Sequence, residues 1–264
     1  MNFTRIPYRS VGGRLLRLPL KLLPSRAVVP ILQGPLRGMR WTVGSGDHGC
    51  WLGRYEQHKQ VLVREIVRPG SVVYDLGAHV GFFTLLFSRL AGPGGRVVAF
   101  EPAPRNLRYL RDHLRQNRIG NVTVVEAAVS NSAGEIHFDP EPANPKGFQG
   151  HVAEEGALTV RSVRLDDLVR QGTIPPPDYI KIDVEGAEAE VLRGAAELLR
   201  ESRPTLFLAT HGREVQAECL DLLRGHGYRV EHVADDPNEL LATPGARRPP
   251  GPPPRMAPAA ILPR

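Results

Sequence analysis

Short apolar runs alternate with amphipathic stretches along the middle of the chain, which is the pattern of parallel strands joined by helices. Strands are predicted at 71–76, 96–101, 122–127, 179–184, Thr205–Ala209 and Tyr228–Val233, and helices at 80–91, 104–117, 187–200 and Arg213–Gly225. Between the third and fourth strands the pattern predicts an antiparallel element at 135–138, a long loop at 139–158, a strand-like run at 159–163 and a short helix at 165–168. The fold class indicated is α/β.

The two ends of the chain differ in composition from its middle. Residues 1–40 carry eight Lys and Arg and no acidic residue, and residues 243–264 carry four Arg, eight Pro and no acidic residue. Proline-rich segments of this kind do not build a core. We expect a basic N-terminal extension at 1–66 with a packing helix near 55–67, a catalytic domain at 67–242, and a disordered tail at 243–264.

The formal net charge of +6 suggests nucleic acid as a partner, but the charge is unevenly distributed. Residues 41–242 contain 22 basic and 28 acidic residues, whereas tracking of phosphates needs clustered Lys and Arg. No apolar run approaches the roughly 18–20 residues of a spanning helix. We therefore expect no nucleic-acid partner, no integral membrane contact and a cytoplasmic location. The separated cysteines Cys50 and Cys219 indicate reduced thiols.

The most informative motif lies at 73–84, where the chain reads VYDLGAHVGFFT, followed by FEP at 100–102. A strand ends at Asp75, two glycines (Gly77 and Gly81) open a helix, and a second strand stops at the acidic Glu101. This strand–turn–helix–strand–acid order is typical of the nucleoside-binding half of a doubly wound sheet. Glu101 is placed to accept hydrogen bonds from both ribose hydroxyls.

The glycine turn favours S-adenosylmethionine over a dinucleotide, because it departs from the G-x-G-x-x-G pattern and Asp75 comes directly before its first glycine pair. Backbone groups of Gly77, Ala78 and His79 are predicted to meet the methionine part of the cofactor. Glu126, at the end of the third strand, is predicted to approach the adenine.

A second motif, YIKIDVEGAE at 179–188, runs from a buried strand into a helix. Period-two alternation puts Lys181, Asp183 and Glu185 on one side near the carboxyl end of the strand, where ligands bind in open α/β sheets. A structural interpretation remains open, in which Lys181 and Asp183 are a buried ion pair. His211, after the fifth strand, is predicted to lie on the same edge.

Four segments together resemble the FkbM-type S-adenosylmethionine-dependent methyltransferases: DLGAHVGFFT at 75–84, AFEPAPRN at 99–106, AAVS at 127–130 and KIDVEGAE at 181–188. The resemblance implies a Rossmann-like class I fold, with a seven-stranded, mostly parallel sheet and helices on both faces. It also implies O-methylation of hydroxyls on sugars or secondary metabolites, with Asp75, Gly77 and Glu101 at the cofactor and Asp183 and Glu185 at the reaction centre. Two positions depart from the family pattern: His79 stands where Asn is usual, and Ala209 where Glu is frequent.

An alcohol is a weak nucleophile, so a positioned base should take its proton, and Asp183 and His211 are the candidates. Asp183, Glu185 and His211 could also form an oxygen and nitrogen metal site, but their spacing is not diagnostic, and we expect no metal requirement.

Three other functions compete with this interpretation. An NAD-type oxidoreductase would need the full glycine fingerprint. A nucleic-acid methyltransferase is suggested only by the PPPDY run at 175–179, whose prolines precede the strand. A noncatalytic nucleoside-binding scaffold would bind cofactor without turnover. The acceptor, beyond a small hydroxylated molecule, and the oligomeric state stay open.

Overall fold

The computed structural model describes residues 23–139, 151–152, 158–233 and 236–246. The chain before residue 23, most of the predicted 139–158 loop and the predicted tail from residue 247 lie outside the described residues. The strands are β1 (Val28–Pro30), β2 (Arg40–Thr42), β3 (Val72–Leu76), β4 (Arg96–Phe100), β5 (Val122–Val125), β6 (Ala128–Val129), β7 (Gly134–Asp139), β8 (His151–Val152), β9 (Leu158–Val163), β10 (Tyr179–Ile182), β11 (Thr205–Ala209), β12 (Tyr228–Val233) and β13 (Asp236–Pro244). The helices are α1 (His48–Leu52), α2 (Gln57–Ile66), α3 (Phe82–Ala91), α4 (Pro104–Gln116), α5 (Leu165–Arg170), α6 (Glu188–Arg193), α7 (Ala196–Glu201) and α8 (Arg213–Gly225).

Seven strands form the central sheet in the order β12-β13-β11-β10-β3-β4-β5. β13 is antiparallel to both its neighbours, and the other pairs in the sheet are parallel. The predicted seven-stranded, mostly parallel sheet is confirmed. From β3 the chain builds β4 and β5 on one side, and later returns to β10 on the other side. The strand order thus reverses between β3 and β10, and the carboxyl ends of strands at such a reversal frame a ligand-binding crevice.

Helices cover both faces of the sheet, which explains why its strands are apolar on both sides. In β3, Val73 packs into a cluster with side chains of α2, α3 and α4, whereas Tyr74 and Leu76 pack into a cluster with α5, α6, α7 and α8. Alternate residues of a strand face opposite sides, so β3 joins the two cores. Asp75 is the polar exception on the Val73 face.

A second, four-stranded sheet has the order β6-β9-β7-β8 and lies in the connection between β5 and β10. The predicted antiparallel element and the strand-like run are confirmed as β7 and β9, which pair with Ile136 opposite Val160. The single strand predicted at 122–127 is instead divided into β5 and β6, with Glu126 between them.

The prediction of one helix over 187–200 is wrong, because the chain forms α6 and α7 with a break at Gly194. The amide of Asp166 donates to the Gly194 carbonyl. The Asp166 carboxylate then accepts from the amides of Glu197 and Leu198, both at 3.0 Å. These bonds satisfy the free N–H groups of a new helix start. The cap comes from a residue about thirty positions away, so local periodicity did not reveal it.

The prediction that Tyr228–Val233 is the last strand is also wrong, since β13 follows it and inserts between β12 and β11. Its sequence, DPNELLATP, contains few β-branched or aromatic residues and carries proline near both ends. Pairing on both edges holds it in place. Thr243 and Pro244 pair with Arg229 and Tyr228, so the sheet extends two residues past the predicted domain end at 242.

The described part of the N-terminal extension packs into the core on the Val73 face. Trp41 of β2 is fully buried there, and α2 buries Val63. The predicted packing helix is confirmed, although Leu62 and Ile66, predicted to face the core, are only partly buried.

A buried histidine joins this extension to the glycine turn. His113 of α4 stacks on the Trp41 ring, with centroids 3.9 Å apart. Its Nε2 accepts from the Thr42 amide at 3.1 Å, and its Nδ1 lies 2.8 Å from the Val80 carbonyl. Nδ1 must therefore carry the proton of a neutral ring. Burial lowers the pKa of His113 to about 4, against the opposing effect of the Val80 hydrogen bond.

Stability should fall in acid because of His113. The unfolded chain, with a histidine pKa near ~6.5, binds more protons than the folded chain between pH ~4 and ~6.5, so the free energy of unfolding should drop by about 2 kcal/mol between pH 7 and pH 5 from this residue. Urea unfolding at both pH values measures the drop. We expect His113→Phe to be less stable at pH 7 and to lose that part of the pH dependence, while a control change at the exposed His232, His232→Gln, keeps it. An equal drop in His113→Phe would contradict the assignment.

Candidate functional site

The two sequence motifs meet at the carboxyl ends of β3 and β10. The amide of Asp183 donates to the Leu76 carbonyl at 3.2 Å, which continues the parallel pairing past the end of β10. Gly77 has a φ of 73°, and a Cβ on it would lie 1.9 Å from the Asp183 carbonyl oxygen. A side chain at 77 would therefore push the motifs apart. The sequence suggested that Gly77 allows a ligand to approach, but its first requirement is the approach of Asp183.

The glycine turn is tied to the end of β4. The amides of Gly77 and Ala78 both donate to the Phe100 carbonyl, at 3.1 and 2.9 Å. The amide of His79, a residue with a φ of 53°, donates to Glu101 Oε2 at 2.8 Å. The predicted pairing of this turn with the acid at the end of the second strand is thus present in the structure.

Glu101 is held in one orientation. Its Oε1 accepts from the Ala103 amide at 2.9 Å and from Asn106 Nδ2 at 3.2 Å, in addition to the His79 amide on Oε2. Burial raises the pKa of Glu101, while the bonds from Ala103, His79 and Asn106 act in the opposite direction. A carboxylate fixed by N–H donors in this way is a preorganised acceptor for hydroxyl groups.

Gly81 serves the packing of the following helix. It starts α3 with a φ of 92°, and a Cβ there would lie 2.5 Å from Leu110 Cδ1 of α4. Its contact in the structure is therefore with α4. A direct contact of Gly81 with the cofactor stays a prediction.

Asp75 lies beneath the turn and is fully buried. Thr84 Oγ1 donates to its Oδ2 at 2.6 Å, and Lys181 Nζ lies 3.5 Å from its Oδ1. Burial raises the pKa of Asp75, which the charge of Lys181 opposes. These contacts give Asp75 an anchoring role between β3, α3 and β10, and its contact with the cofactor stays a prediction.

Two lysines hold Asp183. Lys181 Nζ lies 3.3 Å and Lys59 Nζ 3.9 Å from its Oδ2. Burial alone would raise the pKa of Asp183, but the two ammonium groups outweigh it and lower the pKa to about 2. The buried ion pair of Lys181 and Asp183 that the sequence left open is present. Asp183 is therefore ionised at any physiological pH.

Lys59 brings α2 to the site. Its ammonium group lies 2.6 Å from a Glu239 carboxylate oxygen of β13 and 3.0 Å from Glu56. Lys59, Lys181, Asp183 and Glu239 share a cavity of about 20 Å³. That volume is close to what a single water needs, so an organic acceptor must approach elsewhere.

His211 occupies the more open side of Asp183. Its Nδ1 lies 2.9 Å from Glu188 Oε1, and its Nε2 lies 3.3 Å from Glu185 Oε2 and 3.9 Å from Asp183 Oδ1. The hydrogen bond to Glu188 raises the pKa of His211; burial opposes this, and the charges of Glu185, Glu188 and Asp183 bring the pKa to about 9. The structure thus brings Asp183, Glu185 and His211 together as the sequence predicted.

The side chains on this side are reachable from solvent. Glu185 is 27% and His211 is 35% exposed, whereas Glu188 behind them is fully buried. Glu185 has a φ of 54°, an uncommon backbone conformation for a residue other than glycine, and such residues cluster at functional sites.

Glu126 lies apart from these groups in its contacts. It follows β5, is exposed, and forms an ion pair with Arg111 of α4. The predicted contact of Glu126 with an adenine ring stays a prediction.

One ligand atom from each of Asp183, Glu185 and His211 lies within 4.8 Å of the others, so the distances would admit a cation. A protonated imidazole cannot coordinate a metal, and Lys59 and Lys181 repel a cation from Asp183. The expectation that catalysis needs no metal stays a prediction.

Two residues of the site have no counterpart among the predictions. Lys59 lies on an amphipathic helix more than a hundred positions before Asp183, and a lysine there has no local signal. Thr84 had one: it lies in the first turn of α3, directly after the glycine motif, where its side chain faces back towards Asp75.

The prolines at 175–177 precede β10, so they lie at the opposite end of that strand from Asp183. This placement gives no support to a catalytic proline–tyrosine motif. No helix in the described part of the chain has the length and apolar character to cross a membrane.

Comparison with known proteins supports the same site. Residues 75–230 match the family model described as the methyltransferase FkbM domain. The chain is 33% identical over 164 residues to the hexuronic acid methyltransferase AglP of Haloferax volcanii, a match that covers 61% of this chain and 66% of AglP.

Two further relatives have names of the same kind. The chain is 31% identical over 196 residues to the 31-O-demethyl-FK506 methyltransferase FkbM of Streptomyces tacrolimicus, covering 62% of this chain and 75% of that protein. It is 28% identical over 163 residues to the 2-O-methyltransferase NoeI of Sinorhizobium fredii, covering 55% and 65%. The family match includes every predicted site residue, from Asp75 to His211. The chain belongs to the FkbM methyltransferase family.

Proposed function

We propose that this protein is an S-adenosylmethionine-dependent O-methyltransferase that methylates a hydroxyl group of a sugar or secondary metabolite. The observation that carries the proposal is the hydrogen bond from the His79 amide to Glu101, beside the contact of Gly77 with Asp183. It joins a nucleoside-type acid to a glycine turn, and joins both to the reactive side chains.

The residues present fit S-adenosylmethionine. Glu101 would hold the ribose hydroxyls, because its three N–H donors fix the carboxylate orientation. The half-buried backbone of Gly77 and His79 would face the methionine part, with Ala78 between them. When bound, S-adenosylmethionine supplies an electrophilic methyl group on its sulfonium. The protein then has to align the acceptor hydroxyl and remove its proton.

His211 is the better proton acceptor of the two candidates. Asp183, with a pKa near 2, is too weak a base to take a proton from an alcohol efficiently. His211 has a pKa of about 9, so its uncharged form is a stronger base but is scarce at pH 7. Asp183 then acts as a fixed negative charge that stabilises the imidazolium formed.

The acceptor class rests on the relatives. AglP is named for a hexuronic acid, FkbM for a hydroxyl of FK506, and NoeI for a 2-O position. A hydroxyl is the common acceptor in these names. The half-buried side of Glu185 and His211 has room for such a molecule to approach, unlike the small cavity beside Lys59.

We also propose that the protein has no nucleic-acid partner and acts in the cytoplasm. Residues 41–242, which contain the site, carry more acidic than basic residues.

A methyl-transfer assay tests the function. The full chain is incubated with S-adenosylmethionine and a panel that includes methyl glucuronide, and products are followed by mass spectrometry. We expect a mass increase of one methyl group on a hydroxylated sugar or metabolite. Tight cofactor binding with no transfer to any acceptor in the panel would favour a noncatalytic scaffold instead.

Replacing Glu101 should weaken cofactor binding. We expect Glu101→Ala to cost about 1–3 kcal/mol of binding free energy for S-adenosylmethionine in calorimetry, the typical value of charge-assisted hydrogen bonds. Asn106→Ala removes one donor to Glu101 but keeps the carboxylate, and should cost less. Thermal unfolding of both variants serves as the folding control. Unchanged affinity in folded Glu101→Ala would remove the ribose assignment.

Replacing Asp183 should stop turnover and spare cofactor binding. Asp183→Asn keeps the shape but removes the charge between two lysines and beside His211, so we expect kcat to fall by about 100-fold or more, with cofactor affinity retained. Glu201→Gln, an exposed acid on α7, is the matched control and should keep full activity. Full activity of Asp183→Asn would exclude Asp183 from the reaction centre.

A further inference from the structure

Glu188 makes an unusual set of contacts for a carboxylate that is 0% exposed. Its Oε1 accepts from the Gly186 amide at 3.0 Å and lies 2.9 Å from His211 Nδ1. Its Oε2 lies 3.5 Å from the His211 amide. No salt bridge of Glu188 with lysine or arginine is found among the described residues, so its main charged contact is the imidazole.

A buried carboxylate without a permanent cation is costly, and a neutral glutamine could supply the same hydrogen bonds to two backbone amides. What a glutamine cannot supply is a negative charge against His211 Nδ1. The charge is therefore the feature of Glu188 that the fold itself does not require.

We propose that Glu188 is the positioning residue of the proton acceptor: its carboxylate holds the proton on His211 Nδ1 and thereby keeps the Nε2 lone pair directed towards the acceptor hydroxyl. This inference rests on the proposed function, since it assigns a role within the same reaction centre. A carboxylate that orients a histidine through Nδ1 fixes the tautomer and raises the basicity of the other nitrogen.

The geometry around Nε2 fits this role. Nδ1 faces the buried interior and Glu188, whereas Nε2 faces the two half-buried acids Glu185 and Asp183. These three acids, from α6 and from the turn before it, are the charged groups that face the ring. In the structure Glu185 lies at the Nε2 position, so the acceptor hydroxyl must take over that contact before its proton can move to Nε2.

A titration of His211 tests the proposal without reference to activity. The ring nitrogens of the full-length protein are followed by NMR against pH in the wild type and in Glu188→Gln, with His211→Gln to assign the signals. We expect the pKa of His211 to fall by at least one unit in Glu188→Gln and to stay near the wild-type value in Glu188→Asp, which keeps the charge. Glu190→Gln, on the exposed face of the same helix, is the matched control and should change nothing.

The pH profile of methyl transfer gives the second measurement, with methyl glucuronide or the acceptor found in the panel. Because the uncharged ring is the active form, kcat/KM of the wild type should rise from pH 7 towards pH 9. In Glu188→Gln the rising limb should move to lower pH by the same shift as the His211 pKa, and the plateau should fall by about 10- to 100-fold.

The outcomes separate this inference from the proposed function. A Glu188→Gln protein that is folded and slow, but has the wild-type His211 pKa and pH limb, would show a merely structural role and overturn the proposal. A wild type that transfers no methyl group to any acceptor would overturn the proposed function and the catalytic part of this inference together, whatever the titration shows.

Discussion

The buried ammonium group of Lys181 is the interaction on which the site depends. It lies 3.5 Å from Asp75 and 3.3 Å from Asp183, and so links the two strands at which the sheet order reverses. Burial would lower the pKa of Lys181, but Asp183 and Asp75 together raise it, so the charge persists. An unpaired charge in this position would cost several kcal/mol, which ties the two motifs to one geometry. The close contact of Gly77 with the Asp183 carbonyl is possible only in that geometry.

The same charge divides the work between the side chains of the rim. With Lys181 and Lys59 on one oxygen, Asp183 stays ionised and is a poor base. On its other side, where only acids face the ring, His211 becomes more basic than an ordinary histidine. Two groups less than 4 Å apart thus acquire opposite properties, one a fixed anion and the other a proton acceptor.

Most of the fold and the residues of the site followed from the sequence, because glycine turns, strand ends and two-residue alternation are local signals. VYDLGAHVG placed the turn beside Glu101, and KIDVEG placed Asp183 and Glu185 on one edge. What the sequence did not reveal depends on distant partners. The break at Gly194 depends on the Asp166 side chain, β13 depends on pairing at both edges, and Lys59 reaches Asp183 from a helix in the N-terminal extension. The reason for Gly77 was also hidden, since only the folded chain brings the Asp183 carbonyl against it.

The most direct test of the central claim is a crystal structure of the full chain with S-adenosylhomocysteine, the product left after methyl transfer. The account predicts ribose hydroxyls on Glu101, the amino-acid part along Gly77 to His79, and the sulfur facing Asp183 and His211 across the crevice between β3 and β10. Ligand bound elsewhere, or a crevice in which Glu101 stays sealed from the ribose, would contradict it.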